Sequence, residues 1–180
     1  MESLFNRWRT KIPNYDEQFK ESLFEAISKK GGGTEKVKAD LGKNFSNNYE
    51  LYMYAFFLGL YNEEREPIPE DSKKVNFNHA IQHWGSKSGR LERKDFTLLQ
   101  EYIFAALVAK TDFDIMALEK GEATEDEISR ELIQTMEAYT NGGLVLIKEK
   151  LDTNPNYFLH PTSFLNSIIG KGTSTKTKIR

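Results

Sequence analysis

Cysteine is absent from this 180-residue chain. That excludes disulfides, thiol nucleophiles and every cysteine-based zinc or iron–sulfur site. Long apolar runs are missing too. Nothing reaches the roughly 20 apolar residues that span a bilayer, and the N-terminal stretch MESLFNRWRTKIP has no apolar run of the kind a signal peptide carries. A soluble, cytoplasmic protein is expected, one that does not engage a membrane. Strand signals are equally scarce: no segment sustains apolar–polar alternation, LVLIKEKL (144–151) coming nearest. No internal repeat of fixed period occurs. A G-x-S-x-G elbow, an EF-hand loop and a dinucleotide fingerprint are all lacking. No segment carries a motif specific enough to name a reaction or a ligand, and no cofactor is expected.

Charge of one sign is lacking overall but not locally. The net charge is −2, so the whole molecule is no polyanion binder. Residues 73–110 hold 7 Lys/Arg against 3 Asp/Glu, residues 111–152 hold 4 against 11, and residues 153–180 hold 4 against none. An acidic block between two basic ones could steer a charged partner, or could reflect unevenly charged, solvated helix faces.

What is plentiful is aromatic and apolar residue at helical spacing. Between Tyr49 and Tyr61 only Glu50 is charged, and Tyr49, Tyr52, Tyr54, Phe56, Phe57 and Tyr61 are aromatic. A helix apolar on every side must be buried on most of them. The segment 48–63, opened by Asn47 with Glu50 three residues on, is therefore expected to be the central helix. Gly59 inside it costs about 1 kcal/mol relative to alanine, which close approach of another helix would explain. The remaining helices are expected around it. Leu4, Phe5, Trp8 and Ile12 mark a short one. Asn14 followed by Glu17 reads as a capping box for a helix with Phe19, Leu23 and Ile27 inward, ended by Gly31-Gly32-Gly33. That triple glycine lacks the preceding strand and following Lys-Ser/Thr of a phosphate loop. Thr34 opens a short helix to Gly42, and Pro67 and Pro69 enforce an extended link.

Phe77, Ala80, Ile81 and Trp84 fit one face of a helix over 76–84. Asp95 caps a long helix whose buried face is expected to hold Leu98, Leu99, Tyr102, Ile103, Ala106, Leu107 and Lys110. Asp112 opens a short helix to Lys120. Thr124 and Glu127 form the strongest capping box in the chain, ahead of Ile128, Leu132, Met136 and Tyr139. Asn141-Gly142-Gly143 is expected to end that helix and turn the chain into another carrying Leu144, Ile147 and Leu151. Pro161 opens a last helix with Phe164, Leu165, Ile168 and Ile169, and KGTSTKTKIR (171–180) has too little to bury to fold. The fold class is all-α: a single compact domain of about seven to nine helices over 1–170, with a disordered basic tail over 171–180.

Two places could carry chemistry. His79 and His83, four apart on the expected helix, could share a metal ion. A hydrolytic zinc helix has glutamate directly after its first histidine, and this chain has Ala80. A third ligand such as His160 or Glu101 is not indicated, and a pair of surface or half-buried histidines fits as well. The basic run from His83 to Lys94 offers Lys87, Arg90, Arg93 and Lys94 for phosphate contacts and Trp84 for base stacking. Trp84 equally fits a core face with Phe77 and Ile81. A helix–turn–helix reader is disfavoured, since the would-be recognition helix FDIMALEKG is short and scarcely basic. The acid pairs lie at helix ends and turns, where capping and solvation account for them. The reading that follows is a non-enzymatic helical interaction or adaptor domain, binding another protein through its acidic 111–152 surface or forming a homo-oligomer. The alternatives are a nucleic-acid-associated protein using 83–94 and the tail, and a metal-dependent enzyme built on His79 and His83.

Overall fold

The computed structural model describes residues 3–28, 44–85, 96–159 and 162–169. The Gly31–Gly33 connection, the helix expected after Thr34, the basic run 86–94, Asp95, His160, Pro161 and the tail 171–180 lie outside the described residues. The protein is mostly helical, with one small two-stranded sheet. In chain order come α1 (Leu4–Arg9), β1 (Asn14–Asp16), a π-helical turn (Lys20–Phe24), α2 (Glu25–Ile27) and α3 (Asn48–Asn62). Then follow β2 (Lys74–Asn76), a 3₁₀ turn (Ile81–His83), α4 (Thr97–Lys110), α5 (Ile115–Lys120), α6 (Glu125–Thr153), a 3₁₀ turn (Tyr157–Leu159) and α7 (Ser163–Ile169).

The chain divides into two compact units, Met1–Glu17 with Pro67–Ala138, and Gln18–Glu66 with Tyr139–Arg180. In the first, β1 and β2 pair antiparallel with Tyr15 opposite Val75. All-α was therefore too strict. Residues 14–16 do not cap a helix; they are held extended by partners some 60 residues away in sequence, a pairing that local periodicity does not reveal. The helix expected over 76–84 is likewise replaced by β2, a bend with Asn78 at φ 58°, and the single 3₁₀ turn Ile81–His83. Inward-facing side chains still follow the expected set in part, because Ile81 and Trp84 are both fully buried. The capping box at the start of α6 forms as expected: the Glu127 backbone N–H donates to Thr124 Oγ1 at 3.2 Å, and the Thr124 N–H donates to Glu127 Oε2 at 2.8 Å. Helix α5 is capped by Asp114, whose Oδ1 accepts from the Ala117 N–H at 3.0 Å, and not by Asp112. Gly121, at φ 75°, closes that helix in the left-handed conformation.

In the second unit α3 begins at Asn48 with Asn47 in the N-cap position, as expected, yet no Asn47 side-chain bond caps it. The Glu50 carboxylate reaches back instead and accepts from the Ser46 N–H at 2.9 Å. The helix ends with Glu63 in the left-handed region and a Schellman closure, the Glu64 N–H donating to Gly59 O at 2.9 Å and the Glu63 N–H to Leu60 O at 3.3 Å. Leu51, Tyr52, Met53, Ala55, Phe56, Leu58 and Gly59 are buried along it.

Helix α6 overturns the expected turn at Asn141-Gly142-Gly143. It runs without a break through all three residues, and every residue from Tyr139 to Leu144 is buried. The reason is the closeness of α3. A Cβ added to Gly143 would stand 1.8 Å from Ala55 O, one on Gly142 2.2 Å from Glu64 O, and one on Gly59 2.0 Å from Tyr139 O. Only glycine lets the two backbones meet so closely, and the contact offsets the poor helix propensity of three glycines. The close approach inferred for Gly59 is present.

The π-helical turn in 20–24 has its own logic. The Glu25 N–H bonds Lys20 O, an i to i+5 closure. That spacing lets Phe19 and Phe24 both be buried, where a regular helix would put them on different faces.

Candidate functional site

Large apolar side chains stand in water at Ile12, Tyr61, Leu159 and Leu165, and two more do so one turn apart on the outer side of α4. Its inner side is anchored by Trp84. The indole Nε1–H donates to His79 O at 3.2 Å, Phe77 meets the ring edge-on at 6.2 Å, and the Trp84 carbonyl accepts from Gln100 Nε2 at 2.9 Å. Gln100, Ile103 and Leu107 are buried at spacings of three and four. Phe104 reaches sideways to Phe5 and Trp8, with ring centroids 5.2 and 5.6 Å away. With that side fixed, the opposite side faces solvent. Leu98 is 59% exposed and Tyr102 58% exposed, with Ala105 and Ala109 exposed beyond them.

These four residues recur at four, three and four, the rhythm of a heptad seam, and they lie within a strip roughly 60° wide on a helix of 3.6 residues per turn. Glu101 borders the strip and Lys110 ends the helix. The sequence placed Leu98 and Tyr102 on the buried face because both are large and apolar. The structure puts them outside and sends polar Gln100 in, because the Trp84 carbonyl waits there for its amide. Met116, on α5, adds a further large exposed apolar side chain.

The residues singled out from sequence fare differently. Lys87, Arg90, Arg93 and Lys94 lie outside the described residues. Trp84 is fully buried on its Phe77 contact, in the core position that was the alternative to base stacking. His79 and His83 are both exposed, but they no longer share a helix face: one is in the bend after β2, the other ends the 3₁₀ turn beside Gln82. Among the described residues no group of three or more His, Asp or Glu side chains is placed to hold a metal ion. No helix among them is long and apolar enough to cross a membrane.

Among the described residues four ionisable groups are displaced from their ordinary behaviour: Asp126, Glu137, Tyr54 and Glu127, the last held below the usual range chiefly by the hydrogen bond from the Thr124 backbone N–H. Asp126 is a hub: Lys11 Nζ, Arg130 Nη2 at 2.5 Å and Arg7 Nε at 3.7 Å all converge on its carboxylate. The hydrogen bond from Lys11, then that from Arg130, holds its pKa below the usual range. Glu137 is the converse. It is buried, its Oε1 accepts from the Asn14 N–H at 2.7 Å and Asn14 Nδ2 at 2.9 Å, and burial pushes its pKa up. Tyr54, whose hydroxyl donates to Phe164 O at 2.9 Å, is pushed up to about 12 by burial. Each of these groups has a structural explanation in its own partners.

Comparison with protein-family models, with curated proteins and with solved structures gives no match.

Proposed function

We propose that this chain works by binding, as a helical interaction domain whose docking surface is the outer seam of α4. The observation that carries the reading is the exposure of Leu98 and Tyr102, one turn apart on a helix whose other side is already anchored. Covering two such half-exposed side chains is worth about 2–3 kcal/mol together, enough to matter in a complex and a liability in a monomer left bare. Charge supports the same surface class. Asp112, Asp114, Glu119, Glu122, Glu127 and Glu131 are all exposed in the stretch that follows α4, giving the acidic block a solvated rim that can orient a partner. His79 and His83 sit in a bend and a 3₁₀ turn and not on one helix face.

The test is a photo-reactive side chain placed at position 102 of the full chain in cells, with the same group at Glu131 as control. The reading expects a discrete adduct from position 102 that Leu98→Glu abolishes, identified by mass. No adduct from position 102, or equal capture from both positions, would overturn it.

A further inference from the structure

Resting on that reading, we propose that the occupant of the α4 seam is a second copy of this chain, packed antiparallel through the same four residues. The seam is self-complementary only in that sense. Turn one α4 end for end about a two-fold axis lying between Ile103 and Phe104, and each position meets the one whose number completes 207. Leu98 then stands opposite Ala109 of the second copy, and Tyr102 opposite Ala105. Every large side chain meets a small one, in both halves at once, as an isologous contact requires. In a parallel pair in register, Leu98 would meet Leu98 and Tyr102 would meet Tyr102, while the alanines faced each other across a gap. That arrangement leaves bulk and void side by side.

Two further features agree, and a third sets the strength of the pairing. The seam carries no charge within its strip; Glu101 stands at its border, free to stay solvated. Alanine at 105 and 109 lets two helix axes approach closely, which favours a helix partner over a flat one. Finally, α4 has 14 residues, so one pair of such helices covers less than the roughly 1,200 Å² of a standard interface. The dimer is accordingly weak and reversible.

The absence of natural cysteine makes the geometry directly testable in the full chain. Sedimentation equilibrium from micromolar to millimolar concentration is run first. The wild type is expected to rise towards twice the monomer mass, while Leu98→Glu/Tyr102→Glu, both at exposed positions, stays monomeric with an unchanged far-ultraviolet spectrum. Disulfide trapping then reads orientation. A mixture of Leu98→Cys and Ala109→Cys chains should form the mixed disulfide about tenfold faster than Leu98→Cys alone forms its own. In the antiparallel pair the two copies of position 98 are about 16 Å apart along the axis.

A dominant Leu98→Cys self-disulfide would overturn the antiparallel pairing, and a dimer insensitive to the double substitution would place the interface elsewhere. A chain that stays monomeric at millimolar concentration would overturn the second copy as occupant. The docking reading would then stand or fall separately, by whether the photo-reactive group at position 102 captures a different protein or none.

Discussion

Gly143→Ala is the sharpest test of how α3 and α6 meet. On helix propensity alone the substitution stabilises, by about 1 kcal/mol. In this structure it does the reverse. The new methyl would lie 1.8 Å from Ala55 O, 2.6 Å from Ala55 C and 3.0 Å from Ala55 Cα, all of them backbone atoms. No rotamer change can relieve a clash with backbone, so the two helices must part by about 1.5 Å to restore contacts near 3.5 Å. Separation on that scale forfeits much of the dispersion along the interface, and overpacking of this kind costs about 1–3 kcal/mol or more. With backbone atoms as the obstacle the cost lies at the upper end of that range, and less the propensity gain the net expectation is a destabilisation of about 2 kcal/mol. Urea unfolding of wild type and variant measures it, with Gly121→Ala as comparison. Nothing lies within 4 Å of a Cβ at Gly121, so only its left-handed backbone is penalised, by about 1 kcal/mol. A Gly143→Ala protein as stable as wild type, or more so, would refute the contact and restore the turn that the Asn-Gly-Gly sequence suggests.

Two other substitutions follow from local geometry. Thr124→Ala removes the hydroxyl that accepts from the Glu127 N–H and should cost about 1 kcal/mol in the urea midpoint; no loss would mean the box contributes nothing. Glu137→Gln keeps an oxygen to accept both Asn14 donors but removes an ionisation that burial opposes. Because the folded-state pKa is raised, the wild-type contribution is fully present below the ordinary carboxylate pKa and is lost as pH rises through the folded value. The variant's stability relative to wild type should therefore grow from pH about 4 to pH about 7. The Asp126 cluster, whose depressed pKa acts in the opposite sense at lower pH, is common to both proteins and cancels. A variant less stable than wild type by the same amount at every pH would show that desolvation of Glu137 does not govern its titration.

The features readable from sequence were those set by neighbours in the chain. The bounds of α3, the Thr124–Glu127 box and the stop at Gly121 each follow from a few adjacent residues whose backbone demands are local. Gly59 was readable too, as an expensive residue that needed a neighbour. What escaped was set by distant parts of the chain. Three-residue strands at 14–16 and 74–76 have no room for an alternating pattern and exist because they find each other. Asn141-Gly142-Gly143 carries every local sign of a helix stop, overridden because three glycines let α3 and α6 touch backbone to backbone. Spacing over 76–84 imitates a helix for barely two turns, and the backbone turns through Asn78 instead. The candidate site shows the limit most clearly. Periodicity reveals that α4 is apolar, but a helix apolar on two sides does not say which side is covered. That is decided by the Trp84 carbonyl reaching Gln100.

The docking surface exists only if Leu98 and Tyr102 face outward, and cysteine scanning of the otherwise cysteine-free chain tests that most directly. Single cysteines at 98, 102, 103 and 107 would be alkylated under native conditions at low protein concentration, each rate divided by its rate in denaturant. The structure predicts near-unfolded reactivity at 98 and 102 and strong protection at 103 and 107. Protection at 98 and 102 equal to that at 103 and 107 would mean the outer seam is already covered within the monomer, and the docking surface would not exist.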